Sequence, residues 1–474
     1  MKLKALMRAL PQGVIKGSRE VEVTGVCSHS KWVAPGNVFI ARRGMTADGN
    51  QYVPEAIQAG AKVVVSDLFD PTLKGITQVI CPDVALAEGA LAAAYYGQPA
   101  QKLFLTGVTG TNGKTTTTWI IQQLLHENFG PCGMIGTIAY RVGNRTYHAT
   151  HTTPDVVRNH RMLKEMVDCG CPSAVMEVTS HALDQGRVNF IDYDVAVFTN
   201  LTQDHLDYHK TMEAYFAAKR KLFLKGKKEK LAVIAAGERM VEESEVPVMT
   251  YGIECIADLV ATDLNGSALG TEFVCHYQGK RYPCFVPLIG HYNILNCLAA
   301  LGACLQRVPL ESLVPKLSHL AQIPGRLERI DNERQLTIFV DFAHTEDALK
   351  QVLSCLRPLT QGKLSVVFGC GGDRDPTKRS KMGRVCSQLA DEVWITSDNP
   401  RSENPLKICE EVSLGCSGNY HIEPDRRGAM EKAINAISKT DILLIAGRGH
   451  ETEQLIGGRI IPFHDATVVR EICA

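Results

Sequence analysis

Short runs that are apolar at every position recur along the chain, separated by segments of helix-like periodicity and by glycine and proline breaks. A strand covered on both faces needs no alternation, so this pattern predicts a parallel sheet flanked by helices. Before Pro99 the runs are Asn37–Ala41 and Ala61–Val65, with a helical segment near Pro54–Ala59. They predict a small α/β module over residues 1–99. The region 100–327 carries apolar runs starting at Leu103 and spanning Ser173–Glu177, Tyr193–Phe198 and Lys230–Ile234, which read as a second, parallel sheet. From 328 to 474, strands at Leu336–Val340, Leu364–Phe368, Glu392–Thr396 and Ile442–Ile445 alternate with helical patterns near Ala348–Leu356, Met382–Leu389 and Gly428–Ile437. That alternation predicts a doubly wound, Rossmann-like domain. No Gly-x-Gly-x-x-Gly opens it, so a dinucleotide site there is not supported.

At 474 residues the chain exceeds what one core serves, in keeping with an α/β protein of three domains. The 51 Lys+Arg and 51 Asp+Glu cancel, and no long run of one sign occurs, so neither nucleic acid nor an anionic membrane is an expected partner. Residues Met1–Met7 lack a sustained apolar core and cleavage site, and no stretch reaches the ~18 apolar residues of a membrane span. A cytoplasmic monomer is expected. The 16 cysteines are scattered, often within apolar segments, with no Cys-x-x-Cys pair, and read as reduced core residues.

The strand entered at Leu103 breaks into Gly107-Val108-Thr109-Gly110-Thr111-Asn112-Gly113-Lys114-Thr115 and runs on into a helix. Glycines let backbone N–H groups crowd around phosphate oxygens, Lys114 supplies a point charge, and the Thr115 hydroxyl can ligate Mg²⁺ at a helix N-terminus. ATP is the ligand this loop predicts. Such a loop needs a carboxylate partner for its metal, and Glu177, ending a buried strand, is the candidate. Downstream, Asp204-His205-Leu206-Asp207-Tyr208-His209 packs two histidines and two aspartates into one short segment; composition alone leaves His205 and His209 open between capping, surface and functional roles. Lys219, in Tyr215–Phe223, is by spacing one of several cations.

Together these stretches resemble the Mur ligase family of ATP-dependent amino-acid ligases in peptidoglycan synthesis. The resemblance extends over the whole chain through Thr109–Thr115, Met176–Leu183, Asn200–His209, Ala217–Phe223, Gly290–Asn293, Pro324–Glu328, Val340–His344 and Ala446–Glu451. It implies a UDP-binding first domain, an ATP-binding centre and an amino-acid-binding third domain. By the same resemblance Thr115, Glu177 and His205 would hold Mg²⁺, and Lys219 would be carbamylated and bridge a second metal. Asn293, Arg326, Asp341 and His344 would surround the nucleotide. Thr152, Thr153, Thr179, Gln185 and Arg187 would contact the muramoyl-peptide, and Ser30 the uridine. His29-Ser30-Lys31 replaces the family's usual Asp-Ser-Arg, Met45 stands where relatives often carry histidine, and Phe342 and Glu346 replace a tyrosine and a proline. Asp398-Asn399-Pro400-Arg401 is similar to the motif of the members that add diaminopimelate, with Arg374, Gly447 and Glu451 completing that pocket. An extra zwitterionic head group needs an arginine for its carboxylate and acids or carbonyls for its ammonium.

The implied chemistry is activation of a glutamate carboxylate by the γ-phosphoryl group, then displacement of phosphate by an amine, with Lys114 and Mg²⁺ neutralising the transferred group. The sequence assigns no base to the amine. Pro324-Gly325-Arg326 is the expected hinge for closure of the third domain. Two other readings compete: a sister ligase lacking the 398–401 motif, and a phosphate-loop ATPase acting as a switch, which would hydrolyse ATP without either co-substrate.

Overall fold

The computed structural model describes residues 1–44, 47–224 and 226–474; Met45 lies outside the described residues. The chain divides into two compact units. One comprises Met1–Val260, Tyr277–Gly279 and Leu295–Leu313; the other comprises Ala261–His276, Lys280–Ile294 and Val314–Ala474.

The first unit opens with strands β1 (Val14–Lys16), β2 (Gly25–Cys27), β3 (Asn37–Ile40), β4 (Val63–Ser66) and β5 (Thr77–Ile80). They form a sheet in the order β1-β5-β4-β3-β2, parallel except for β1 against β5. Every residue of β3 and β4 is buried, as their valine-rich runs require. Helix Val84–Tyr95 covers the sheet and starts where the Asp83 carboxylate accepts from the Leu86 N–H.

A larger parallel sheet follows in the same unit: β6 (Phe104–Thr109), β7 (Cys132–Ile135), β8 (Ala139–Val142), β9 (Arg145–His148), β10 (Ser173–Glu177), β11 (Val195–Phe198), β12 (Leu231–Ala235) and β13 (Val248–Ile253). Their order is β13-β12-β11-β6-β10-β7-β8-β9. Among these strands the antiparallel pairs are β7 with β8 and β8 with β9, at one edge. Fully buried β6 lies between β10 and β11, so the chain crosses from one side of β6 to the other. Open α/β sheets form their ligand crevice at the carboxyl ends of strands at such a switch. The register sets Glu177 beside Val108 and Phe198 beside Thr109, which brings the end of each neighbour to the loop after β6. Strands β14 (Leu259–Ser267), β15 (Gly270–Tyr277) and β16 (Lys280–Val286) follow.

The second unit is built on β17 (Glu328–Arg329), β18 (Thr337–Asp341), β19 (Leu364–Cys370), β20 (Glu392–Ser397), β21 (Tyr420–Ile422) and β22 (Ile442–Ala446), in the order β17-β18-β22-β19-β20-β21. All but β17 run parallel. One core packs Phe339, Leu353, Phe368, Met382 and Ile408; a second packs Val340, Val367, Met430, Ile445 and Val469. Alternate residues of one strand therefore enter different cores, which is why these strands read as continuously apolar. A hairpin, β23 (Glu453–Ile456) and β24 (Arg459–Pro462), follows β22. It was not expected from the sequence: its outer strand is exposed throughout, and its turn, Gly457-Gly458, sits after the apolar β22 run has ended. The expected hinge at 324–326 is a packed corner of this unit. Gly325 has φ +63°, a Cβ there would lie 2.3 Å from the His450 nitrogen, and its carbonyl accepts from the Phe342 N–H.

Twelve of the 16 cysteines are buried and all are free thiols. Among the described residues, no helix is long and apolar enough to cross a membrane.

Candidate active site

The loop after β6 is shaped by what surrounds it. Gly110 (φ +148°) would bring a Cβ to 1.9 Å from the Thr199 hydroxyl, and Gly113 (φ +83°) to 2.2 Å from Asn296 Oδ1. Only glycine fits either position. Asn200, which follows β11, anchors the loop through its carbonyl to the Thr111 N–H (2.9 Å) and its Oδ1 to the Asn112 N–H (3.0 Å). The Thr111 hydroxyl meets Tyr215 Oη at 3.2 Å and donates to the Thr202 carbonyl. Helix Lys114–Phe129 then starts with Lys114, whose Nζ donates to the carbonyls of Gly110 (3.0 Å) and Thr111 (2.7 Å).

Glu177 is fully buried. Its Oε2 accepts from the Thr115 and Thr137 hydroxyls, both at 2.9 Å, and its Oε1 from the Thr137 N–H at 2.7 Å. Thr137 had no place in the sequence reading. It follows Gly136 just past the carboxyl end of β7, and that position is the one local signal it carries. Its hydroxyl also lies 3.1 Å from that of Thr152. Thr153 donates to the Glu177 carbonyl and to the Thr179 region, where the Thr179 N–H returns a bond of 3.1 Å. Thr179 caps helix Ser180–Asp184 through the Ala182 N–H. Arg187 clasps Gln185 Oε1 through Nε (3.0 Å) and Nη2 (2.6 Å) and reaches the Thr153 carbonyl at 3.1 Å. The five expected muramoyl-peptide residues thus form one network contiguous with Glu177. Arg42 joins it, bonding the Gln185 carbonyl at 2.5 Å and buried Glu88 at 3.1 Å. Ser30 opens a separate turn beyond β2, where His29 stacks on Trp32.

Lys219, only 1% exposed, donates to the Gly110 carbonyl at 2.7 Å and sits 4.5 Å from the Tyr215 ring centroid. Burial, and then the Lys114 charge, push its pKa well below the ordinary lysine value. An amine so placed is held toward its neutral, nucleophilic form. His205 adopts φ +52° and stands edge-on to His181, with Asp204 Oδ2 at 3.4 Å. Its pKa is lowered chiefly by burial, against the opposing pull of Asp204. Among the described residues no three His, Cys, Asp or Glu side chains form a metal-ligating group. The donors around Glu177 are one carboxylate and hydroxyls, hard oxygens of the kind Mg²⁺ prefers, and conversion of Lys219 to a carbamate would add an anionic oxygen donor.

In the second unit the buried Asp341 accepts from the Leu327 N–H (2.7 Å) and Ala343 N–H (2.8 Å). Burial raises its pKa, and Arg326 opposes that rise. Arg326 lies over the Phe342 ring at 4.9 Å, and that ring also meets His344 (4.6 Å) and His450 (5.2 Å). Phe342, noted in the sequence only as a departure, is the hub of this cluster. Asn293 lies in the first turn of helix His291–Cys304, where its side-chain amide donates to the Ile289 carbonyl.

Asp398–Arg401 follow β20, and Gly447 follows β22. Asp398 is buried with no hydrogen-bond partner on Oδ2 among the described residues, and a Cβ on Gly447 would lie 2.8 Å from that oxygen. Asn399 donates to Glu451 at 2.8 Å, and Pro400 precedes Arg401, whose Nη1 donates to the Gly372 carbonyl at 2.6 Å. Burial raises the Glu451 pKa, with Asp398 adding to the rise. Arg374 is exposed; a Cβ built on Gly371 would lie 3.8 Å from Arg374 Cγ and 3.0 Å from Arg401 Nη1, so both side chains flank Gly371. The structure therefore gathers Arg374, Asp398, Asn399, Arg401, Gly447 and Glu451 from three strand ends. Each was expected.

Family models described as "Mur ligase family, catalytic domain", "Mur ligase middle domain" and "Mur ligase, glutamate ligase domain" match residues 22–96, 108–304 and 325–449. The chain is 40% identical to the UDP-N-acetylmuramoyl-L-alanyl-D-glutamate--2,6-diaminopimelate ligase of Geobacillus thermodenitrificans, covering 99% of each chain. It is 41% identical to the ligase of the same name from Synechococcus elongatus, over 99% of this chain and 98% of that one. A solved structure of a ligase with that name matches with TM-score 0.75 and 32% identity, covering 100% of this chain and 99% of the other. The MurF ligase of Thermotoga maritima in complex with ADP shares the fold at TM-score 0.62 and 20% identity, over 90% and 95%.

Proposed function

The chain belongs to the Mur ligase family, and on that premise we propose that it joins meso-diaminopimelate to the glutamate carboxylate of UDP-N-acetylmuramoyl-L-alanyl-D-glutamate, driven by ATP, in peptidoglycan precursor synthesis. The observation that carries this reading is the identity of about 40% over essentially the whole length with relatives named for that reaction. The domain boundaries proposed are 1–99 for the nucleotide-sugar end, 100–327 for the ATP-binding centre and 328–474 for the amino acid. The protein acts as a cytoplasmic monomer, where both nucleotide substrates are available.

The carboxylate oxygen attacks the γ-phosphorus and ADP leaves, giving an acyl phosphate. The neutral amine of diaminopimelate then attacks the acyl carbon, phosphate leaves with the bond's electron pair, and the nitrogen gives up one proton to solvent. Lys114, now bonded to its own loop, exchanges those carbonyls for phosphate oxygens, a charge placed where charge moves in the transition state. Thr109–Thr115 cradle the phosphates, and Asn293, Arg326, Asp341 and His344 surround the nucleotide. Thr115, Glu177, His205 and carbamylated Lys219 would hold Mg²⁺, which supplies charge neutralisation and alignment of the two reacting oxygens. The buried, low-pKa setting of Lys219 supports carbamylation, because only a neutral amine adds CO₂. Thr152, Thr153, Thr179, Gln185 and Arg187 orient the muramoyl-peptide, and Ser30 meets the uridine. Arg374 and Asp398–Arg401, with Gly447 and Glu451, receive the distal head group. Arg401 pairs with its carboxylate, and Asp398 and Glu451 face its ammonium.

ADP release measured with the UDP-muramoyl-dipeptide and either meso-diaminopimelate or lysine tests the assignment. Turnover should need both co-substrates and prefer diaminopimelate by at least about a hundredfold, a buried charge-pair difference of roughly 3 kcal/mol. Equal use of lysine would refute the reading of Arg401.

A further inference from the structure

Two elements outside the Asp398–Arg401 motif determine where its backbone runs. The first is the β23–β24 hairpin. Gln454, 4% exposed, spends both amide hydrogens on the motif: one on the Ser397 hydroxyl (3.2 Å) and one on the Asp398 carbonyl (2.6 Å). The next residue donates its N–H to Asn399 Oδ1 at 2.9 Å, and its carbonyl accepts from the Arg401 N–H at 2.9 Å. The Arg401 carbonyl accepts from the Gly457 N–H at 2.7 Å. Arg401 sits at φ +52°, which a residue with a Cβ keeps only where its surroundings over-determine it. Here both of its backbone polar groups are tied to the hairpin.

The second element is a fully buried ion pair. Arg426 and Asp465 are both 0% exposed, joined by Nε–Oδ1 (2.8 Å) and Nη2–Oδ2 (2.7 Å) bonds. The remaining reach of the guanidinium goes to two strand ends, the Ser397 carbonyl at 3.3 Å and the Ala446 carbonyl at 3.0 Å. Those carbonyls immediately precede Asp398 and Gly447. One planar, rigid group thus sets the spacing of the two strand ends across which Asp398 Oδ2 faces Gly447.

We infer that Gln454 and the Arg426–Asp465 pair are positioning residues that set selectivity for the amine substrate. The inference rests on the proposed reading of residues 398–401 as the diaminopimelate site. Diaminopimelate and lysine differ by a single carboxylate, so discrimination depends on how well Arg401 and Asp398 are held, which neither residue secures by itself.

The test is steady-state ADP release by Gln454→Met, which keeps the length and burial of the side chain and removes both donors. The KM for diaminopimelate should rise about tenfold, the weight of one buried hydrogen bond. The KM values for ATP and the UDP-muramoyl-dipeptide should stay within about twofold, and the preference over lysine should shrink about tenfold. Gln454→Glu, of the same size, turns a donor into an acceptor facing the Asp398 carbonyl; it should give the same split, and supplies the readout should the methionine variant fail to fold. Arg401→Ala reports on the underlying reading. If that variant leaves the KM for diaminopimelate unchanged, the site assignment itself is wrong. If it raises that KM while both Gln454 variants keep wild-type KM and selectivity, the positioning inference falls and the assignment stands. A parallel change in all three KM values overturns it too, since that is the mark of general destabilisation.

Discussion

Thr137→Val is the most discriminating perturbation of the centre around Glu177. Valine matches threonine in shape, and the Thr137 N–H to Glu177 Oε1 bond of 2.7 Å survives because it belongs to the backbone. What disappears is the hydroxyl that donates to Oε2 at 2.9 Å, leaving Thr115 as that oxygen's remaining hydroxyl donor in this cluster. A hydrogen bond to a charged acceptor contributes about 1.5–3 kcal/mol, and a buried carboxylate cannot recover it from water. If the carboxylate orients a metal, that loss becomes a fall in kcat/KM of roughly 10- to 150-fold. The Thr152 hydroxyl also loses its neighbour at 3.1 Å, so the KM for the muramoyl substrate should rise a few-fold on the scale of a neutral bond. Initial rates of ADP release across a Mg²⁺ series are the assay. The half-saturating Mg²⁺ concentration should rise, Thr137→Ser should restore it, and the melting temperature should move by no more than a few degrees. Wild-type rates and Mg²⁺ dependence in Thr137→Val would refute the argument that this hydroxyl orients Glu177.

Lys219→Ala should lose at least about a hundredfold in ligase activity while its melting curve keeps its shape, since the side chain's polar bond is to one loop carbonyl; near-normal turnover would remove the carbamate from the mechanism. Lys230 tests buried charge away from the site. Burial lowers its pKa from the ordinary 10.5 to about 8. Between those values the unfolded chain binds a proton that the folded chain does not, so stability should rise with pH across that window, by an amount on the order of 3 kcal/mol. Lys230→Met should flatten urea midpoints between pH 8 and 10.5, and an unchanged slope would show that Lys230 titrates normally.

Strand positions were legible because the sheets are covered on both faces: Ala174–Met176 and Val393–Ile395 are apolar runs buried at every position, and that is a local property. The phosphate loop was legible because its glycines answer to close approaches that no side chain tolerates. The groups expected around the muramoyl-peptide and the amino acid were identified by motif, and the fold brings each set together. Local spacing could not distinguish Lys219 from its neighbouring cations. It becomes distinct through burial and a bond to Gly110, 109 residues away. Thr137 meets Glu177 across 40 residues, Arg426 meets Asp465 across 39, and Gln454 meets Ser397 across 57. By itself, then, the sequence determined where the buried apolar strands lie and where the glycine-rich loop enters a helix, because those depend on nearest neighbours along the chain. Tertiary structure alone decided which hydroxyl holds the carboxylate and which amide holds the amino-acid motif. Those pairings follow from strand order and register, and the energies that choose them are summed over whole sheets.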